Sequence, residues 1–133
     1  MATCCHATKC FQCCVETNMV LTNHDIDTIQ KLGYEYQFFV TKHNEWLQLK
    51  NTHGHCVFYN GTECGIYPHR PKGCTLYPIV YDKTKNRAML DNECPQRHCF
   101  SLSSLKQQEL KNLINTLEKE RRNRKQAKKN TKR

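Results

Sequence analysis

Residues 56–78 read CVFYNGTECGIYPHRPKGCTLYP, a segment rich in glycine and proline. It contains three cysteines, Cys56, Cys64 and Cys74. The interval between the last two contains Pro68 and Pro71. Proline fixes φ and lowers the entropy that a loop loses when it becomes ordered. Residues 64–78 therefore predict a rigid loop without regular structure that holds thiols ready for a shared ligand.

Cysteine usage in the rest of the chain also favours metal binding. The chain has 133 residues and ten cysteines. Those outside the central segment form an N-terminal cluster and a late pair, namely Cys4, Cys5, Cys10, Cys13 and Cys14, then Cys94 and Cys99. No apolar segment of the signal-peptide type is evident near Met1, so we expect a cytoplasmic protein. Thiols that cluster in a reducing compartment usually bind metal.

The even number of cysteines also permits a disulfide scaffold. The adjacent pairs Cys4-Cys5 and Cys13-Cys14 argue against it, because a bridge between neighbours in the chain is sterically awkward. Cys10 and Cys13 have the C-x2-C spacing that lets a tight turn aim two thiolates at one zinc ion, with bonds of about 2.3 Å. Thioredoxin-type redox pairs share this spacing and stay an alternative, although no strand is evident before the pair and no helix directly after it.

Positive charge is concentrated near the C-terminal end. The chain has 21 Lys and Arg against 12 Asp and Glu, and residues 119–133 contain nine of the bases and one acid. Residues 1–118 are nearly neutral, so the chain does not have the charge distribution of a uniformly basic nucleic-acid binder. We expect residues 119–133, the basic tail, to attract nucleic acid non-specifically, or to be a solvated tail that aids solubility. No apolar run reaches the roughly 18 to 20 residues of a membrane helix, so we expect no membrane partner.

The first half of the sequence predicts one helix and then short strands. Thr22 and Asp25 can form the capping box that begins a helix, and apolar residues follow at helical spacing. Gly33 can adopt the left-handed conformation that ends it. Aromatic and β-branched residues then predict three strands, at 36–42, 45–50 and 55–59.

The second half predicts a hairpin and a long helix. Strands at 77–82 and 87–90 flank a polar turn, and a helix follows from Ser101, with Ser104 and Gln107 as its capping box. The apolar stripe of this helix is predicted to be Leu102, Leu105, Leu110, Leu113, Ile114 and Leu117. The predicted fold class is α+β, with a small antiparallel sheet, two helices and Cys-rich metal-binding loops.

The predicted domain organisation has two parts. Residues 1–118 are expected to form a Cys-rich metal-binding domain that includes the C-terminal amphipathic helix from about residue 101. Residues 119–133 are expected to be either an extension of that helix or disordered.

Three motifs in this sequence resemble those of a known family. They are Cys10/Cys13-Cys14, then Leu21-Thr22 with Asp25-Ile26, then Cys56, Cys64-Gly65-Ile66-Tyr67, Arg70-Pro71, Cys74 and Tyr77-Pro78. Together they resemble the YkgJ-type CxxCxxCC family of zinc- or iron-chelating domains. The similarity covers roughly residues 4–99 and includes Cys94-Pro95. One position departs from the family pattern, because Ala7 stands where a cysteine is expected.

The resemblance implies a set of metal ligands. They are Cys10, Cys13, Cys14, Cys56, Cys64, Cys74, Cys94 and Cys99, and less certainly Cys4 or Cys5, which could replace the thiol absent at Ala7. Eight thiols suffice for two Cys4 sites or for one site with thiols to spare. The centre is expected to be zinc or an iron–sulfur cluster, [4Fe-4S] or another type, since both accept four thiolates.

Other side chains near the thiols are candidates for supporting roles. Arg70 could offset the negative charge of several thiolates by charge-assisted hydrogen bonds, or it could pin a loop carbonyl. Tyr67 is expected to pack beside the metal. Surface positions are favoured for His53, His55, His69 and His98, and His6 and His69 are the histidines kept as candidate ligands.

Two other functions stay open beside simple metal binding. Related cysteine clusters occur in flagellin lysine-N-methylases, where an iron–sulfur cluster is implicated, but no recognised phosphate or nucleotide loop in this chain supports a methyltransferase. The main prediction is an intracellular metal-binding protein, structural or metal-handling, for which no catalytic residue can be named. The alternatives are a redox or iron–sulfur enzyme component, and a zinc-stabilised nucleic-acid adaptor that uses the basic tail.

Overall fold

Short helices alternate with antiparallel hairpins in the computed structural model, which describes residues 14, 17–91 and 101–131. The first part contains α1 (Asn23–Lys31), α2 (Tyr36–Phe39), β1 (Val40–His43), β2 (Trp46–Leu49), β3 (Asn51–Thr52) and β4 (His55–Cys56). The second contains a 3-10 helix (Tyr67–His69), α3 (Lys72–Leu76), β5 (Ile79–Asp82), β6 (Arg87–Leu90) and α4 (Ser104–Thr131). The predicted α+β class is confirmed.

The strands are distributed over three separate two-stranded antiparallel sheets among the described residues. Strand β1 pairs with β2, β3 with β4, and β5 with β6. The last pair is the hairpin predicted in the second half, with Ile79 opposite Leu90 and Asp82 opposite Arg87. A two-stranded hairpin is marginal on its own, so each must be stabilised by the helices and loops that pack against it.

Helix α1 begins with the predicted capping box. Thr22 Oγ1 accepts a hydrogen bond from the Asp25 N–H at 2.9 Å, and Asp25 Oδ2 accepts one from the Thr22 N–H at 3.0 Å. After the helix, Gly33 has a φ of +106° and its N–H donates to the Gln30 carbonyl at 2.9 Å. Both helix ends therefore follow from local sequence signals.

The strand predicted at 36–42 is wrong in its first half. Residues 36–39 form the helical turn α2, and the strand begins at Val40. This turn leaves Phe39 fully buried, with its ring centroid 5.8 Å from that of Phe58. Burying such a ring contributes about 1.5–3 kcal/mol, which exceeds the span of local β propensities. Tertiary packing therefore outweighs the strand preference of these aromatic residues.

Two tight turns with positive φ shorten the other predicted strands. Asn44 and Glu45, at φ +50° and +63°, connect β1 to β2, so β2 begins at Trp46 and not at residue 45. Positive φ at both central residues is typical of the type I′ turn that suits a hairpin. A second hairpin turn forms at residues 53–54 before β4, and the strand predicted at 55–59 ends at Cys56 because the chain turns again at residues 57–58.

The loop predicted to lack regular structure at 64–78 contains two short helices. Pro68 lies in the first turn of the 3-10 helix, and Pro71 is the N-cap residue of α3. Proline is tolerated at such positions, because the first N–H groups of a helix have no partner within it. The two prolines therefore help to begin helical turns here instead of preventing them.

Two hydrophobic clusters form the core. The first core consists of Leu21, Ile26, Ile29, Phe39, Val40, Leu47, Leu49, Cys56, Phe58 and Ile66. The second core consists of Leu76, Ile79, Leu110, Leu113 and Leu117. Helix α3 and the β5–β6 hairpin thus attach α4 to the rest of the chain, whereas the first core lies beside the central cysteines.

Helix α4 departs from expectation at its start. Its cap is Ser103, whose Oγ accepts from the Lys106 N–H at 3.2 Å, and not the predicted Ser104. Leu105 is 69% exposed and does not belong to the buried stripe. A residue five positions before Leu110 lies well away from the buried side of a helix with 3.6 residues per turn, which explains the difference.

Helix α4 continues without interruption through residue 131. The domain boundary predicted between residues 118 and 119 therefore falls inside a helix and stays a prediction. No helix in the described parts of the chain is both long and apolar enough to span a membrane.

Candidate metal centre

Cys56 is buried at the end of β4. It is 4% exposed and belongs to the first core. Cys56 lies opposite Asn51 in the β3–β4 pair, and the Asn51 side chain in turn exchanges two hydrogen bonds with the backbone of Thr17, at 2.8 and 2.9 Å. The strand that carries Cys56 is thereby joined to the segment that follows Cys14.

Asn60 organises the loop that carries Cys64. Its Oδ1 accepts hydrogen bonds from the N–H groups of Thr62 and Glu63, each at 2.9 Å. The loop closes where the Gly65 N–H donates to the Phe58 carbonyl at 2.7 Å, and Cys64 forms an isolated bridge with Tyr59. These local bonds place Cys64 beside the first core.

The structure brings the Cys14 and Cys64 side chains together. A hydrogen bond from the Cys14 thiol is the largest cause that lowers the pKa of Cys64, from its ordinary 9.0 to about 7. The Ile66 N–H and the positive charge of Arg70 act in the same direction, whereas burial and Glu63 oppose them. A thiol that titrates near neutral pH supplies thiolate, the form that binds metal.

Arg70 fits both interpretations that its sequence context left open. Its Nη1 donates to the Tyr67 carbonyl at 2.9 Å, which pins the 3-10 turn. Its guanidinium lies 4.1 Å from the centroid of the Tyr67 ring, and its charge favours the Cys64 thiolate. Tyr67 therefore holds Arg70 in place through its carbonyl and its ring, so that the cation lies close to the thiol pair.

Cys74 lies in α3, which packs closely against the segment after Cys14. A side-chain carbon added to Gly73 would come within 2.3 Å of the Met19 Sδ, so the close approach of the two segments depends on this glycine. Pro71 before the helix is fully buried. Cys74 is half-buried and packs, as Cys14 and Cys64 do, against the first core.

Asp25 is a positioning residue whose second contact the sequence did not reveal. Its Oδ2 completes the capping box of α1, while its Oδ1 accepts from the Lys72 N–H at 3.0 Å, across 47 residues of sequence. Lys72 begins α3, two residues before Cys74. One buried carboxylate thus connects two helix starts, and the helix that it reaches carries a candidate ligand.

The described cysteines lie in or against the first core, but they do not form a closed site by themselves. No disulfide joins Cys14, Cys56, Cys64 and Cys74 to one another. Across residues 14, 17–91 and 101–131, no three His, Cys, Asp or Glu side chains are close enough to hold a metal ion. The other predicted ligands lie outside the described residues, namely Cys4, Cys5, Cys10, Cys13, Cys94 and Cys99.

Three of the candidate histidines, His53, His55 and His69, lie within the described residues. His53 is an exposed turn residue with a φ of +52°, and His69 is an exposed residue of the 3-10 helix. The ring of His55 packs edge-on against Tyr59 at 5.1 Å. His6 and His98 lie outside the described residues.

The donor chemistry of this region suits a thiophilic metal. Two thiols in contact, one of them with a pKa of about 7, and a guanidinium that favours the charged form are compatible with zinc or iron ligation by sulfur. The arrangement is typical of a cysteine-rich metal-chelating domain.

The comparison with family models agrees with this assignment. The model of the CxxCxxCC family, described as "Putative zinc- or iron-chelating domain", matches residues 3–99, about three quarters of the chain. The chain belongs to the CxxCxxCC family. No curated protein and no solved structure matches it.

Proposed function

We propose that the protein holds a cysteine-ligated zinc ion or iron–sulfur cluster whose main role is structural or metal-handling, without turnover of its own. The observation that carries the proposal is the contact between Cys14 and Cys64, two thiols 50 positions apart in sequence, with the Cys64 pKa lowered to about 7. A lowered thiol pKa reduces the cost of deprotonation on binding metal.

The proposed ligands come from the described and the undescribed segments together. Cys56 belongs to the first core, and Cys14, Cys64 and Cys74 pack against it, so sulfur is available there from separate parts of the chain. Cys10, Cys13, Cys94 and Cys99 would complete the coordination, in one centre or two. When bound, the metal cross-links these segments. Arg70 limits the net negative charge of the thiolates, and Tyr67 orients Arg70.

This role is consistent with the modest apolar core of the molecule. The described parts of the chain bury fifteen hydrophobic residues, distributed over two clusters, so a cross-link through metal would supply further stability. The proposal requires a reducing compartment such as the cytoplasm, because the thiols must stay reduced to act as ligands.

The experiment is an anaerobic purification of the full chain with measurement of zinc, iron, acid-labile sulfide and the absorption spectrum. Colourless protein with stoichiometric zinc supports a zinc centre, and brown protein with iron and sulfide supports a cluster and brings the redox alternative forward. Cys64→Ser is expected to lose metal. Leu76→Val, which trims the second core by one methyl group, is the matched control that lowers stability but retains metal. Wild-type protein without metal, or Cys64→Ser with full metal, would contradict the proposal.

A further inference from the structure

The basic tail has one face that is fixed to the rest of the molecule, here called the docked face: Arg121, Arg124 and Lys128. Arg121 Nε donates to the Asn44 carbonyl at 3.0 Å, and its guanidinium lies 4.5 Å from the centroid of the Trp46 ring. The β1–β2 turn therefore holds one end of the docked face through both a hydrogen bond and a cation–π contact.

Glu45 holds the remainder of the docked face. Arg124 Nε donates to the Glu45 carbonyl at 3.0 Å, and Lys128 Nζ lies 3.5 Å from Glu45 Oε2. Arg124 also reaches Asn23 Oδ1 at 3.3 Å. These contacts keep the helix against the molecule well beyond its last buried leucine, so the tail has a fixed orientation.

A second set of cations lies on another side of the same helix and forms an outer face: Lys119, Arg122, Lys125 and Lys129. These residues are spaced by three or four positions, so they share one side of the helix. All four are exposed, and none is in an ion pair within the part of the chain that the structure describes. With a rise of about 1.5 Å per residue, the outer face extends roughly 15 Å along the helix.

The acids of this segment do not neutralise the outer face. Glu120 accepts a hydrogen bond from the Asn23 N–H at 2.9 Å, which occupies it on the other side of the helix. Glu118, four positions before Arg122, lies on the same side of the helix at the start of the row, but among the described residues no ion pair joins it to an outer-face cation, and the face keeps a net positive charge. The four cations thus form a row of fixed positive charge whose geometry is set by the docked face before any partner arrives.

We propose that the outer face binds the sugar–phosphate backbone of double-stranded nucleic acid, without reading its sequence. A rigid row of cations complements the regular array of phosphates on a duplex, and release of condensed counterions drives such binding. None of the four cations belongs to the region of the described cysteines, so the inference goes beyond the proposed metal centre.

The composition of the outer face favours a duplex over other polyanions. Asn115, one turn before Lys119, and Gln126, within the row, are exposed polar side chains that can hydrogen-bond to phosphate. Single-strand binders stack bases on aromatic side chains, and none projects from this row in the described helix. Helices that lie in a membrane interface carry large apolar residues beside their cations, and this face lacks them as well.

Counterion release gives the proposal a magnitude. Four phosphate contacts predict that the logarithm of the association constant falls with the logarithm of salt concentration at a slope between about −3 and −4. Between about 50 and 200 mM salt the affinity is then expected to fall on the order of 100-fold.

The test is a salt titration of the full, metal-loaded chain with fluorescent duplexes of about 20 base pairs, one DNA and one RNA, followed by fluorescence anisotropy. The test variant replaces Lys119, Arg122, Lys125 and Lys129 by Gln. The control replaces Lys31, Lys83, Lys85 and Arg87 by Gln, which removes the same charge from exposed positions off the outer face. Circular dichroism checks that both variants fold.

The test variant is expected to lose most of the salt dependence and at least ten-fold in affinity at low salt, while the control keeps the wild-type slope. Binding of DNA and RNA duplexes alike supports a backbone surface, as does binding of one duplex form with the same loss in the test variant. No duplex binding by the wild-type protein, equal losses in the two variants, or binding only to phosphatidylserine vesicles would overturn the proposal.

Discussion

Two regions obtain their order in opposite ways: the central cysteine segment, residues 56–78, and the described part of the basic tail, residues 119–131. The central segment has turns and helices of three to five residues, held by single hydrogen bonds around buried Cys56 and Phe58. The tail is the end of a 28-residue helix, whose backbone hydrogen bonds are satisfied within the helix itself. The first region is therefore ordered by short contacts around two buried side chains, whereas the second is ordered along its own axis and attached to the molecule by three cations.

The comparison predicts that loss of one thiol in the central segment has the largest effect. Cys74→Ser is expected to remove metal and to lower the free energy of unfolding by more than about 3 kcal/mol, because much of the binding free energy of a structural site is folding free energy. The measurement is metal content together with chemical denaturation. Thr75→Ala, at the exposed next position, is the control; full metal retention in Cys74→Ser would remove Cys74 from the ligand set.

Asp25 offers a test of how the central segment is positioned. Asp25→Ala removes the capping box of α1 and the bond to the Lys72 N–H, so we expect a loss of about 2–3 kcal/mol. Asp27→Ala removes only an exposed pair with Lys31 and is expected to cost less than about 0.5 kcal/mol. Thermal melting compares the two variants. Equal effects would mean that the Asp25 carboxylate does not connect the helices.

The docking of the tail predicts a smaller and more local effect. Arg124→Ala is expected to lower the free energy of unfolding by about 1 kcal/mol. The loss is modest because Nη2 of Arg124 is buried without a hydrogen-bond partner among the described residues, and this cost offsets part of the stability that the other Arg124 hydrogen bonds contribute. Hydrogen exchange at residues 119–131 should accelerate, while the β5–β6 hairpin stays protected. Lys125→Ala, on the outer face, is the control, and unchanged exchange in Arg124→Ala would disprove the docking contacts.

The most local effect, confined to the titration of one side chain, concerns the pH dependence at Cys64. In the metal-free protein, the folded-state pKa of about 7 lies below the ordinary 9.0, so the thiolate stabilises the fold above pH 9 and this contribution is lost as the pH falls through about 7. Alkylation of Cys64 should therefore have its midpoint near pH 7. Arg70→Gln should move the midpoint to higher pH. A shift to lower pH, or no shift, would show that the Arg70 charge does not stabilise the Cys64 thiolate.

The parts of the fold that sequence could predict are those controlled by neighbours in the chain. The Thr22–Asp25 capping box, the turn at Gly33 and the β5–β6 hairpin depend on residues a few positions apart, and each has a recognisable signature. The α2 turn was missed because its cause is the burial of Phe39 against distant Phe58. Sequence reveals the side chain but not the space that it will fill.

The candidate site also has features that the sequence could predict and features that depend on distant contacts. Cysteine spacing indicates sulfur ligation, and the Arg70 context indicates a cation nearby. No pattern could indicate that Cys14 would contact Cys64, or that the Asp25 carboxylate would reach the Lys72 N–H. Likewise, composition identifies the basic tail as cationic, but the division into docked and outer faces requires the contacts of Asn44 and Glu45.

The hydrogen bond from the Asn23 N–H to Glu120 has a consequence for biosynthesis. Its partners are 97 residues apart, so at ordinary translation rates roughly 5 to 20 s separate their emergence. The bonds between Thr22 and Asp25, by contrast, join residues three positions apart and can form as soon as both have emerged. The attachment of the C-terminal helix is therefore a late event in the maturation of the nascent chain.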